Sequence, residues 1–282
     1  MRSLTALPDA PTYLARYIAI RDKKHKATRT TLVASHAVIA ACYEDYARAI
    51  ASGALTGLVS NAQAAQLSAP LRACYDSPTQ PLKDLKQAIH NAQSKRLLKY
   101  CPMCGTTLPK TFDHYMPAVK FPEFAVHPLN LVPCCATCNS IKDADWLSAA
   151  GGRQYLHTYS DNLPDLQFVL VTLHQNAVLQ GVGATFSLER PLGIPNALWL
   201  LIKSHFTRLK LIDRYEERGS DEIAEILSDC RIHLEAGGSE VRTFLQGRAD
   251  DRKDIYGRNH WIAVLMDAMA KHPDLVNWVN DV

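Results

Sequence analysis

Apolar positions recur at close to a 3.6-residue period through the first hundred residues, and that period predicts helices. An amphipathic pattern opens at Tyr13 and runs to Ile20. It continues over residues 31–51 through Leu32, Ala34, Val38, Ala41, Cys42, Tyr46 and Ile50. Further helices are expected over residues 61–74 and 82–98, broken by the turn Asp76-Ser77-Pro78 and by Pro81. Between 101 and 136 the period is lost. Prolines at 102, 109, 117, 122, 128 and 133 stand too close together for regular helix. Helix is expected again from about Lys142 until Leu163-Pro164. Residues 166–174 and 178–188 are β-rich runs flanking Gln175-Asn176, the pattern of a hairpin. Pro195 then opens a long helix over residues 196–218, stopped by Gly219. Helices over residues 221–227, 241–246 and 261–271 follow. The pattern predicts an α+β protein with its strands in two small hairpins. It divides into a helical N-terminal region (1–97), a loop-rich core (98–150) and an α+β C-terminal region (151–282).

Composition narrows the classes. The chain has 282 residues, room for two or three small domains, and 47% hydrophobic residues is ample for a packed core. No run approaches the ~18–20 apolar residues of a membrane helix, and the start carries no secretory pattern. A cytoplasmic protein with reduced thiols is therefore expected, with no membrane insertion. The net charge of +3 is too mild to indicate a partner.

The cysteines change the picture. Five of the eight fall between 101 and 138, which argues for metal rather than a disulfide framework. They form two Cys-x-x-Cys pairs, Cys101/Cys104 and Cys135/Cys138, around the Pro-rich stretch. A two-residue spacer lets both sulfurs of a pair reach one tetrahedral zinc, and four protein ligands leave it structural rather than catalytic. Gly105 permits the tight knuckle turn. Cys134 lacks the spacing and reads as a packed thiol.

Within the same stretch stand Asp113-His114-Tyr115-Met116-Pro117, Asn130-Leu131-Val132-Pro133, and Cys135-Ala136-Thr137-Cys138-Asn139-Ser140-Ile141-Lys142. This segment resembles the HNH, or ββα-metal, nuclease family over about forty residues. The resemblance implies that His114 is the general base. It implies that Asp113 and Asn139 hold a catalytic Mg²⁺ or Mn²⁺, and that Asn130 holds the hairpin and the base in position. Lys142, one helical turn after Asn139, is a candidate for a substrate phosphate. His127 is open to two readings, substrate contact or packing. Asp113 and His114, adjacent on a strand, can share a site only if the strand ends or bends there.

The function expected from the resemblance is a metal-dependent endonuclease that nicks DNA, leaving a 5′-phosphate and a 3′-hydroxyl. The stretch 113–124 is similar to HNH proteins of bacterial anti-phage systems of the Septu or Zorya type, often encoded beside an ATPase, which would be a partner. Two rivals stand beside it: a non-catalytic zinc module that binds nucleic acid or protein, and a restriction endonuclease acting alone. Two basic runs, Arg21/Lys23/Lys24/Lys26/Arg29 and Lys83/Lys86/Lys95/Arg96/Lys99, are open between solvated helix faces and contacts to a phosphate backbone.

Overall fold

The computed structural model describes residues 2–175 and 181–281 and is mixed α/β, mostly helical, with two small antiparallel sheets. The chain forms two compact units. One comprises Ser3–Met103 and Thr107–Asn162; the other comprises Cys104–Thr106 and the chain from Leu163 onward.

In the first unit, helices α1 (Tyr13–Asp22), α2 (Lys26–Ala34), α3 (His36–Ser52), α4 (Ala62–Gln66), α5 (Ser68–Asp76) and α6 (Gln80–Asn91) precede a hairpin. The two expected helices over residues 31–51 and 61–74 are each split by a short kink, at Ser35 and at Leu67. Pro81 does not break a helix. It lies in the first turn of α6, where its missing N–H has no partner to lose. The hairpin pairs β1 (Thr111–His114) with β2 (Leu131–Cys134), with Asp113 opposite Val132 and His114 opposite Leu131. A seven-residue helix, α7 (Ala136–Lys142), follows at once. The expected helix after Lys142 is absent: α7 ends there, and Asp143 takes φ 44°, ψ −127°, a backbone state that cannot continue a helix. Tyr17, Ile20, Leu32, Ile39, Leu82, Leu85 and Ile89 pack with Val126 and Leu131, so the six helices buttress the hairpin and its loop from one side.

In the second unit, β3 (Val169–Gln175) pairs with β4 (Val182–Leu188). The turn expected at Gln175-Asn176 lies partly outside the described residues. Helices α8 (Asn196–Arg208), α9 (Leu211–Glu235), α10 (Val241–Tyr256), α11 (Trp261–Lys271) and α12 (Leu275–Asn280) complete it. The long helix breaks at Lys210, which takes φ 52°, and not at Gly219. Gly219 lies inside α9, where a Cβ would stand 3.6 Å from Ala184 Cβ and 3.7 Å from Phe186. Both are ordinary contact distances, so a Cβ would fit where α9 passes over β4, and the glycine only weakens the helix locally without ending it. Trp261 stacks on Tyr215 in the core, and Asn259 Oδ1 accepts from the N–H groups of Phe168 and Val169 at 2.7 and 3.0 Å. No helix among the described residues is long and apolar enough to cross a membrane.

Candidate metal centre and adjoining cleft

The sulfurs of Cys101, Cys104, Cys135 and Cys138 lie within 4.8 Å of one another, and all four residues are buried. Tetrahedral zinc at a Zn–S distance of ~2.3 Å spaces its sulfurs by ~3.8 Å, so the four converge closely enough to hold such an ion. Local backbone builds the set. Cys101 N–H donates to Thr107 O at 2.6 Å, closing the first knuckle, and Gly105 takes φ 70° at its tip. Cys135 caps α7, its sulfur accepting the Cys138 N–H at 3.4 Å, while the Cys135 N–H donates to Cys101 Sγ at 3.3 Å. N–H donors on sulfur and a helix N-terminus beside it favour thiolates. Cys134 turns away, 3.3 Å from Thr111 Oγ1, and burial pushes its thiol up to about 12. The residues present fit a structural metal such as zinc.

Beyond the cysteines, β1 ends on Asp113 and His114, of which Asp113 is the more buried. Asp113 is 2% exposed. Its two carboxylate oxygens stand 3.2 and 3.1 Å from Lys142 Nζ, and the same ammonium donates to His114 O at 2.7 Å. One ammonium bonding both oxygens is the arrangement of an ion pair. Burial pushes the Asp113 carboxyl above the usual range, and the Lys142 charge opposes that push.

One expectation is corrected here. Lys142, expected at a substrate phosphate, is completely buried and spends its donors on β1. Asp113, expected to ligate Mg²⁺ with Asn139, shares a cleft lining with Asn139 and has both oxygens on Lys142, so a hard cation there would compete with that ammonium. Asp113 and His114 nonetheless both line one cleft, together with Asn139.

His114 is half-buried, and its Nε2 lies 2.8 Å from Ala125 O. A carbonyl only accepts, so Nε2 carries the proton and Nδ1 holds the lone pair. Burial, helped by the charges of Lys142 and Lys86, lowers the imidazole to about 4 against the opposing Ala125 bond and Asp76 charge. The ring is thus a neutral base at neutral pH.

Asn130 is fully buried and clamps the loop between the strands. Its Oδ1 accepts from Met116 N–H at 2.7 Å, and its Nδ2 donates to Met116 O and Phe124 O at 3.1 and 3.0 Å. One side chain therefore fixes both ends of the segment that carries Ala125, the partner of His114. Of the two readings of His127, substrate contact and packing, the structure gives packing. It is wholly buried among Tyr13, Tyr43, Tyr46 and Phe124, and its Nδ1 accepts from Leu129 N–H at 3.2 Å.

His127 and His157 are both fully buried, and burial lowers them to about 3 and about 4. Both values lie below the ~6.5 of an exposed histidine. The unfolded chain therefore binds more protons than the folded one between those limits. Their stabilisation is complete above about pH 6.5 and is lost as pH falls through the folded values. At roughly 1.4 kcal/mol per pKa unit, the loss amounts to several kcal/mol. The urea midpoint is expected to drop between pH 7 and pH 5, and His127→Phe to lessen that drop. A midpoint flat across this range contradicts the assignment.

His114, Asn139, Arg72, Tyr75, Asp76 and Asp143 line an open cleft of about 440 Å³. Asn139 stands half-exposed on α7 across from the hairpin, so the structure brings Asn139 and His114 to one cleft. Sequence reasoning missed the α5 wall. Tyr75 sets its ring edge-on to His114 at 4.4 Å and donates its hydroxyl to Phe112 O at 3.2 Å. Arg72, Tyr75 and Asp76 share one helix face by their three- and four-residue spacing, a signal present in the sequence but indistinguishable there from a solvated face.

The chain is 30% identical over 188 residues to Protein ea31 of Escherichia phage lambda, an alignment covering 62% of each protein. The chain thus spans less than two thirds of that relative's length. No protein-family model matches the chain, and no solved structure does.

Proposed function

We propose that this protein is an HNH-type endonuclease that hydrolyses DNA phosphodiester bonds, with His114 as general base. The observation that carries the reading is the bond from His114 Nε2 to Ala125 O at 2.8 Å, on a residue lining an open cleft. It orients a neutral imidazole and leaves Nδ1 as the basic nitrogen. The order of elements supports the same reading: an antiparallel hairpin and a helix, with a cysteine pair on each side of β1 and the loop. His114 Nδ1 would take a proton from water as the water oxygen bonds to phosphorus and the bond to the 3′-oxygen breaks, the 3′-oxygen taking a proton from solvent to leave as a hydroxyl. Asn139 is positioned to contact the substrate or an ion across the cleft, and Asn130 acts at one remove by holding Ala125. The resemblance implies Mg²⁺ or Mn²⁺, which would compete with Lys142 for Asp113. An anti-phage role beside an ATPase rests on the stretch 113–124 alone.

Nicking of supercoiled plasmid, with and without added Mg²⁺ or Mn²⁺, tests the reading. Wild-type protein is expected to give open circles, and His114→Ala to slow them roughly 10²–10⁴-fold while melting normally. A folded His114→Ala protein as active as wild type would falsify the role of His114. The Asp113–Lys142 pair favours a second reading, a non-catalytic zinc module. Intact plasmid after incubation with wild-type protein in each ion supports that alternative, and discrete fragments from one DNA point instead to a restriction enzyme.

A further inference from the structure

Besides buttressing the hairpin, α5 brings Arg72 into the lining of the cleft, and α6 sets Lys86 over two aromatic rings that line it. Lys86 on α6 is half-buried, and its ammonium lies 3.9 Å over the Tyr75 ring and 5.5 Å over that of Phe112. Burial lowers its pKa. The other side of the picture is Tyr75 itself, which also meets the His114 ring and is pinned by its hydroxyl to the β1 backbone. Tyr75 thus touches both the ammonium and the imidazole. Arg72, one turn before Asp76 on α5, lines the same cleft, its guanidinium 3.9 Å from the Asp76 carboxylate in a loose, exposed pair. Such a pair is weak enough to be exchanged for another anion. A desolvated cation held on an aromatic face, beside a neutral base, is complementary to an anion that arrives with the substrate.

We propose that Lys86 and Arg72 form a phosphate-binding wall, holding a DNA backbone phosphate beside the one presented to His114, with Tyr75 as the spacer. This rests on the nuclease reading and adds to it the residues that grip the strand. Of the basic run before the first knuckle, it singles out Lys86, whose ammonium is fixed by its aromatic seat, whereas Lys83, Lys95, Arg96 and Lys99 are exposed. Binding to phosphate releases counterions, so each such contact contributes about 0.9 to the slope of log affinity against log salt.

The test uses the full chain carrying His114→Asn, whose planar amide keeps a side chain beside Tyr75, and a fluorescent DNA duplex titrated at several salt concentrations. Adding Lys86→Gln is expected to weaken binding at low salt and reduce the slope by about 0.9, and Arg72→Gln to do likewise. Lys86→Arg, which keeps the charge, is expected to retain the slope, and thermal melts confirm that each variant is folded. An unchanged slope in folded Lys86→Gln overturns the phosphate wall while leaving the nuclease reading to stand on plasmid nicking. A parent chain that binds no duplex, from a wild type that nicks no plasmid, overturns both.

Discussion

Cys138→Ser is expected to leave the protein with far less than one equivalent of bound zinc and to unfold the segment between the knuckles. The four sulfurs converge in a buried cluster, and the segment they bracket has only two four-residue strands and two three-residue 3-10 turns before the seven-residue helix that carries Cys138. So little regular structure cannot offset the conformational entropy of a Pro-rich loop. Structural zinc in small modules supplies an apparent binding free energy of roughly 10–16 kcal/mol at neutral pH, most of which appears as folding energy. The loss is enlarged here because the Cys138 N–H lies on Cys135 Sγ, so disturbing α7 disturbs two ligands together. Elemental analysis of purified protein reads the metal content, and hydrogen exchange reads residues 98–142. Full zinc occupancy with unchanged protection in Cys138→Ser would exclude the four-cysteine site. Cys134→Ser is the companion control and is expected to keep its metal, because that thiol faces Thr111 rather than the other four.

Lys142→Met is the second change expected to have a large effect, and its cause is electrostatic. It leaves the Asp113 carboxylate at 2% exposure with no cation, and it removes the donor on His114 O. Breaking one side of a buried ion pair costs about 3–5 kcal/mol, on the order of a 10 °C fall in Tm for a unit of this size. The double variant Asp113→Leu/Lys142→Met is expected to recover much of that loss, since neither charge is then stranded. Thermal and urea unfolding of the two single variants and the double close the cycle. Lys142→Met within about 1 kcal/mol of wild type would show that the pair contributes little. The cycle also separates Lys142 from a substrate-binding role, because a residue that only meets phosphate changes binding and leaves stability alone.

The same pair explains why the site was only half legible beforehand. Each group was identified by type and spacing: Asp113 and His114 at a strand end, Asn130 before the second strand, Asn139 and Lys142 on one helical face. Partner choice does not follow from spacing. Lys142 could have faced solvent or β1, and the packing of α7 on β1 directs it to Asp113 and His114 O. His127 was undecided for a similar reason. Its neighbours Tyr13, Tyr43 and Tyr46 come from helices more than eighty positions earlier, and only their convergence makes the ring a core residue.

What the amino-acid order determined by itself was local. Two Cys-x-x-Cys spacings specify a four-thiol cluster because a knuckle turn is a short-range geometry, and apolar periodicity specifies most helices because a helix satisfies its hydrogen bonds within itself. The α11 boundaries at Trp261 and Lys271 were legible in this way. Tertiary structure alone decided the rest. Gly219 stays helical inside α9, where the helix packs over β4, the chain turns at Lys210 without Gly or Pro, and Lys142 is spent on Asp113 instead of facing the cleft. The Arg72–Tyr75 wall likewise exists only where α5 meets the hairpin. Each depends on desolvation and contact between distant segments, and those energies are set by which surfaces meet in the folded chain.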